Sequence, residues 1–227
     1  MTFVPRWVLL SSGCAPLVLI GGWALSAALQ PPTYSAMLDS ISALAAHGAA
    51  YPWLMTGALY VLGVCHVVTA LGLRVAAMPG RVVLAGGGVA SVAVALSPEP
   101  TGGTSLRHLV TTGIGFTLLA LFPTLAAWRN ASPVWALRRE TGYAVTGLMA
   151  AGAAWFLVEL HGHGAAGLAE RILTGAQSVW PLIIVVACVT VPLSRPALRD
   201  RPAPLLDVRS THAAPRSAGQ GDRRPRS

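Results

Sequence analysis

Lysine is missing altogether: all sixteen basic residues of this 227-residue chain are arginine. Charge of either sign is scarce, at 11% of residues, against 54% apolar residues and a mean hydropathy of +0.61, which excludes an ordinary soluble domain. The three cysteines, Cys14, Cys65 and Cys188, are too few and too scattered for a disulfide framework or a zinc knuckle, and all fall in apolar runs where thiols act as small packers. No phosphate-cradling loop, nucleophile elbow or zinc-protease helix is present. The short alternating segments of a membrane β-barrel are absent as well. A high-GC bacterial genome accounts for arginine in place of lysine without any functional cause.

What the chain has instead is long apolar runs. A hydrocarbon core about 30 Å thick needs ~20 residues of helix at 1.5 Å per residue. Six stretches qualify: residues 7–29, 52–73, 82–96, 109–128, 143–160 and 172–193. The expected fold is therefore all-α, a polytopic bundle of six transmembrane helices over residues 1–193. The third stretch is the shortest and holds Gly86, Gly87 and Gly88. It is nevertheless taken as a full crossing, because a re-entrant loop there would put Arg129, Arg138 and Arg139 on the wrong side. The first run exceeds the 7–15 residues of a signal-peptide core and reads as an uncleaved span.

Arginine placement sets the topology. Arg6 precedes the first span, Arg74 and Arg81 lie between the second and third, and Arg129, Arg138 and Arg139 lie between the fourth and fifth. Cytoplasmic loops accumulate Arg and Lys, so both termini and these two loops should face the cytosol across a bacterial plasma membrane. Fourteen arginines then lie inside, and Arg107 and Arg171 outside. The net charge of +8 is no sign of nucleic-acid binding. Residues 194–227 carry eight arginines against Asp200, Asp207 and Asp222, which is +5 of that total. This Arg/Pro-rich tail has no apolar periodicity and is expected to be disordered; a solvated tail that reinforces orientation is the first reading, and contact of its arginines with anionic inner-leaflet lipids the second.

The polar residues collect on the opposite side. The first outer loop, 30–51, opens with Pro31-Pro32, and Met37, Ile41, Leu44 and Ala45 then recur at helical spacing. That spacing predicts a short amphipathic helix in the interface with Asp39 and Ser42 on its polar face. Arg171 runs against the orientation bias and should be compensated, with Asp39, Glu99 and Glu159 available as partners. Glu170 beside it is favoured by the helix macrodipole alone. Glu159 and His163 share a face if the fifth helix continues, and with His108 and Asp39 they offer ligands for a divalent metal. Solvated loop histidines explain the same residues. Within the spans, His66 lies about 21 Å below Pro52 and Gln177 breaks the last apolar run. A neutral His66 bonded to a neighbouring Ser or Thr stands beside a functional role for it. His108 opens the fourth span at the far face, which argues against a bis-histidine haem.

Tyr34-Ser35, Ile41-Ser42-x-Leu44, Gly48 and Trp53 through Gly63 together resemble the opening signature of a bacterial and archaeal membrane family, domain of unknown function 998. His108, Gly167, Glu170-Arg171 and Trp180 extend the resemblance over roughly residues 7–193. Ser97-Pro98-Glu99-Pro100 departs from it, standing where such proteins often pair Pro with Asp. The resemblance implies a bundle of about six spans and singles out outer-face residues, but no chemistry. Three functions stay open. One is binding or transport of a small molecule or lipid at an outward polar site formed by Tyr34, Asp39, Ser42, His108, Glu170, Arg171 and Trp180, with no cofactor. The second is a metal-dependent intramembrane lipid hydrolase using His108, Glu159 and His163, with Asp39 or Glu170 as base. The third is a scaffold of helices joined through Gly22, Ser26, Gly147 and Ala151. Composition does not set the oligomeric state.

Overall fold

A computed structural model describes residues 4–100, 105–128 and 132–190. The expected tail, 194–227, and Arg129 lie outside these described residues. Six long helices appear among them: α1 (Arg6–Ala28), α3 (Pro52–Gly72), α4 (Met78–Ala95), α5 (Leu106–Ala126), α6 (Arg139–Gly162) and α7 (Ala166–Thr190). A single-turn helix, α2 (Ile41–Leu44), lies between α1 and α3, and a 3-10 turn, Trp135–Leu137, precedes α6. No strand occurs among the described residues. All six long helices are long and apolar enough to cross a membrane, so this is a multi-pass integral membrane protein.

The third span is one unbroken helix. Helix α4 starts at Met78, four residues before the apolar run does, because Pro79 suits a first helical turn and Gly80 packs on the backbone of Ala126. Its 18 residues reach about 27 Å. Helix α7 likewise begins at Ala166 rather than at Ile172, which brings Glu170 and Arg171 inside the helix, and it continues through Pro181.

Each long helix packs against its neighbours in the chain, and α7 returns to α1, so the six close into a ring. Burial is shared unevenly. Only Gly142, Met149 and Phe156 of α6 are buried, a single stripe seven residues apart. Helix α7 buries thirteen residues over a broad face. The outward faces carry Leu10, Leu17, Leu71, Leu148 and Val158, all largely exposed, as expected of helices whose outer solvent is lipid. Small residues set the closest crossings. A Cβ on Gly88 would stand 2.6 Å from the Gly63 carbonyl, and one on Gly63 only 2.4 Å from the Gly88 carbonyl. Helices α3 and α4 therefore touch backbone to backbone.

Two sets of contacts tie the helix ends together. At one end Ala77 N–H donates to the Ala126 carbonyl (3.0 Å), joining the α3–α4 and α5–α6 connections. There Arg81 also donates to the Ala70 and Leu71 carbonyls at 2.7 and 2.9 Å, satisfying the C-terminus of α3. At the other end His47 N–H donates to the Glu99 carbonyl (3.1 Å), and the Leu38 and Met37 carbonyls accept from Gly167 and Leu168 at 3.3 and 3.0 Å. All three remaining connections meet there.

Candidate functional site

The first loop is seated on the start of α7 by one cation. Arg171 Nη1 donates to the carbonyls of Ala36 (2.7 Å), Asp39 (3.0 Å) and Gly167 (2.8 Å), and Nη2 donates to the Tyr34 hydroxyl. The expected carboxylate partner is not used. Among the described residues the one approach within 4 Å between a basic side chain and a carboxylate oxygen is His108 Nε2 to Glu99 Oε1, at 3.8 Å. Peptide carbonyls replace it, since a guanidinium spreads its donors over several acceptors at once. The Asp39 carboxylate turns back to accept from Ser35 N–H (2.7 Å). That turn, closed again by Asp39 N–H to the Ser35 carbonyl (2.7 Å), also keeps Met37 out of the predicted amphipathic helix. The helix shrinks to Ile41–Leu44, capped by Ser40, and Met37 is left exposed. Partial burial raises the Tyr34 phenol above its usual range, with Arg171 opposing, so it is neutral at physiological pH. Gly167 makes the contact possible, because a Cβ there would lie 2.2 Å from the Asp39 carbonyl.

Beneath this loop α2 covers the ring. Its first amide, Ile41 N–H, donates to Glu170 Oε2 (2.6 Å), and Glu170 is buried. On the other side Ser42 Oγ lies 2.9 Å from His108 Nε2, while His108 Nδ1 lies 2.8 Å from the Ser97 carbonyl. The cap is thus held by α7 and α5 through one carboxylate and one imidazole.

Two cavities lie under it. The first, about 70 Å³, is central: Leu19, Leu62, Ser91, Thr112, Glu170 and Gln177 bring residues from α1, α3, α4, α5 and α7 to its wall. Gln177 Nε2 donates to the Phe116 carbonyl (3.0 Å), but Gln177 Oε1 and Thr112 Oγ1 are buried with no hydrogen-bond partner. Orphaned polar atoms on a cavity wall are costly unless something polar occupies the space. The second cavity, about 230 Å³, runs between α5 and α6. Its polar end holds Glu99, His108, Ser42 and Glu170, and its length is lined by Leu109, Phe116, Phe156, Leu157 and Leu160. Leu109, Leu157 and Leu160 are themselves exposed on the lipid side. Ser42, Thr112, Phe116 and Glu170 border both spaces, so the two adjoin.

The sequence-selected residues therefore divide into groups. Ser42, His108 and Glu170 line the cavities, and Gln177 reaches the central one from about two turns deeper in α7. Tyr34, Asp39 and Arg171 hold the loop above. Trp180 belongs elsewhere: it packs edge-on against Trp135, with ring centres 6.2 Å apart, at the end bearing the α5–α6 connection. His66 is buried beside Gly88, and its Nε2 makes no bond to a Ser or Thr. Glu159, His163 and His108 are not assembled. Glu159 accepts from Trp155 Nε1 (3.0 Å) and Ala165 N–H (2.7 Å), closing the α6–α7 turn, and His163 leaves the helix with φ 53° as its left-handed cap. Among the described residues no three His, Cys, Asp or Glu side chains are placed to hold a metal. Thr112 carries no signal of its own in the sequence, where it is one of four threonines, Thr111, Thr112, Thr117 and Thr124, in a largely apolar run.

Residues 13–187 match the model of the family described as Protein of unknown function (DUF998). The chain belongs to that family. The match runs from within α1 to within α7, so the family unit includes the ring, the α2 cap and both cavities. Neither a curated protein nor a solved structure matches the DUF998 chain.

Proposed function

We propose that this DUF998 protein binds a lipid-like amphiphile, its polar head in the central cavity under α2 and its apolar part between α5 and α6. The observation that carries this reading is the pair of orphaned buried atoms, Thr112 Oγ1 and Gln177 Oε1, on the wall of a space that adjoins an apolar cleft. A ligand with both characters satisfies both surfaces, and an entirely apolar or entirely polar one satisfies only one. Entry from the bilayer between α5 and α6 is consistent with the exposure of Leu109, Leu157 and Leu160. Arg171 acts on the site through the loop that it holds and does not touch the ligand. The setting is a bacterial plasma membrane, with both termini in the cytosol and the α2 cap on the outer side, as the arginine bias supports.

The test is mass spectrometry of lipids and metabolites retained by gently purified protein, wild type beside Thr112→Phe, which fills the space between the two cavities. A reproducible amphiphile on the wild type, reduced about tenfold or more in the variant, is expected. Equal retention by the two proteins, or a wild type without any bound amphiphile, rejects the reading.

A further inference from the structure

We infer that Ser42 and His108 form a nucleophile–base pair that cleaves a carboxylic ester of a membrane lipid, a proposal that rests on the amphiphile reading of the cavity. The hydrogen-bond chemistry around the imidazole carries it. The Ser97 carbonyl can only accept, so the hydrogen of a neutral His108 must sit on Nδ1, 2.8 Å away. Nε2 is then an acceptor, and the bond at 2.9 Å must be donated by the Ser42 hydroxyl. This is the arrangement in which a serine loses its proton to a histidine held in the right tautomer by a third group.

The surroundings give the pair access to the cavity, a fixed geometry and a neighbouring carboxylate. Ser42 and His108 both border the larger cavity, and Ser42 also reaches the central one, so an ester bond can approach the hydroxyl from the side where an acyl chain would lie. Both residues sit on anchored backbone: Ser40 caps α2, Glu170 holds Ile41 N–H, and Ser105 caps the start of α5. Glu99 Oε1 lies 3.8 Å from Nε2, close enough to stabilise the imidazolium once a proton arrives.

In the reaction Ser42 Oγ bonds to the ester carbonyl carbon while its proton passes to His108 Nε2. Collapse of the tetrahedral adduct breaks the carbon–oxygen bond of the ester, and the leaving alkoxide takes the proton from Nε2 as the alcohol. Water then gives a proton to Nε2 and its oxygen to the acyl carbon. The free carboxylic acid departs and Ser42 regains its hydrogen. Water is the only co-reactant, and nothing is oxidised or reduced.

Full-length protein in lipid nanodiscs, treated with a long-chain alkyl fluorophosphonate and digested for peptide mass spectrometry, tests the pair. Phosphonylation of Ser42 is expected, absent in Ser42→Ala and slowed about 100-fold or more in His108→Asn, which keeps a donor for Ser97 but has no base. Mapping the adduct on the wild type makes the result independent of whether either variant folds. An unlabelled wild type, label on another serine, or undiminished labelling of His108→Asn overturns the pair. A wild type that retains an amphiphile yet takes no label removes the catalysis and leaves the binding reading standing.

Discussion

Arg171 shows how one side chain can position a site without entering it. Its guanidinium holds three carbonyls and a phenol across the join between the first loop and α7. Arg171→Ala would release the loop and with it α2, and at about 1.5–3 kcal/mol for hydrogen bonds to a charged group the expected loss is on the order of 2 kcal/mol, the site being partly exposed. Arg171→Lys should recover little, because a single ammonium cannot reach four acceptors so arranged. Thermal melts in detergent check both, and a melting point of Arg171→Lys equal to wild type would show that charge alone suffices. Gly167→Ala should cost a similar amount by pushing the Asp39 carbonyl away. The need for a compensated Arg171 was legible in the sequence, since an outer arginine goes against the bias. Its partners were not. Carbonyl acceptors have no residue identity, and nothing in the letters around Asp39 says that its carboxylate folds back onto Ser35. Ser42, His108 and Glu170 were legible as polar residues on one side of the membrane, but only folding sets the hydroxyl, imidazole and carboxylate around a shared space.

Among the elements, the long helices were readable because length and apolarity are enough to specify a crossing, and errors fell at the ends. Helices α4, α6 and α7 start between four and six residues earlier than hydropathy alone puts them, since Pro79, Glu140 and Gly167 are tolerated in first turns that hydropathy counts as loop. The α2 helix was overextended for the opposite reason, its apolar spacing being overridden by a local turn. Helix packing was less legible, because many glycines fill the apolar runs and few of them matter. Gly63 and Gly88 meet backbone to backbone, whereas a Cβ on Gly113 or Gly147 would meet nothing within 4 Å. Gly88→Val should therefore separate α3 from α4 and destabilise the bundle by about 1–3 kcal/mol or more. Gly113→Ala should leave the melting point within a degree or two, because it adds one methyl on an open face. Parallel melts of the two variants measure the contrast, and equal effects would mean that the crossing tolerates expansion.

At the scale of the whole molecule the ring has two unlike ends. One end carries Arg74, Arg81, Arg138 and Arg139, tied across by the Ala77–Ala126 bond. The other gathers the capped cavities, Glu99, His108, Glu170 and the loop seated by Arg171. This segregation follows from the alternation of the helices: every second connection falls at the same end, and most of the arginines fall in one set, with Arg107 and Arg171 at the other end. The orientation that we propose puts the arginine-rich end in the cytosol, because cytoplasmic connections accumulate arginine. Single cysteines at Gly48, in the first loop, and at Pro133, before the 3-10 turn, report the two ends in a chain whose Cys14, Cys65 and Cys188 are changed to alanine. A membrane-impermeant maleimide added to intact cells should label the Gly48→Cys chain and spare Pro133→Cys until the membrane is opened. Labelling of both from the outside would place the two connections in one compartment and dismantle the alternation. Labelling of Pro133→Cys alone would keep the ring but turn it over, putting the cavity, the Ser42–His108 pair and any ester that they cleave at the cytosolic face.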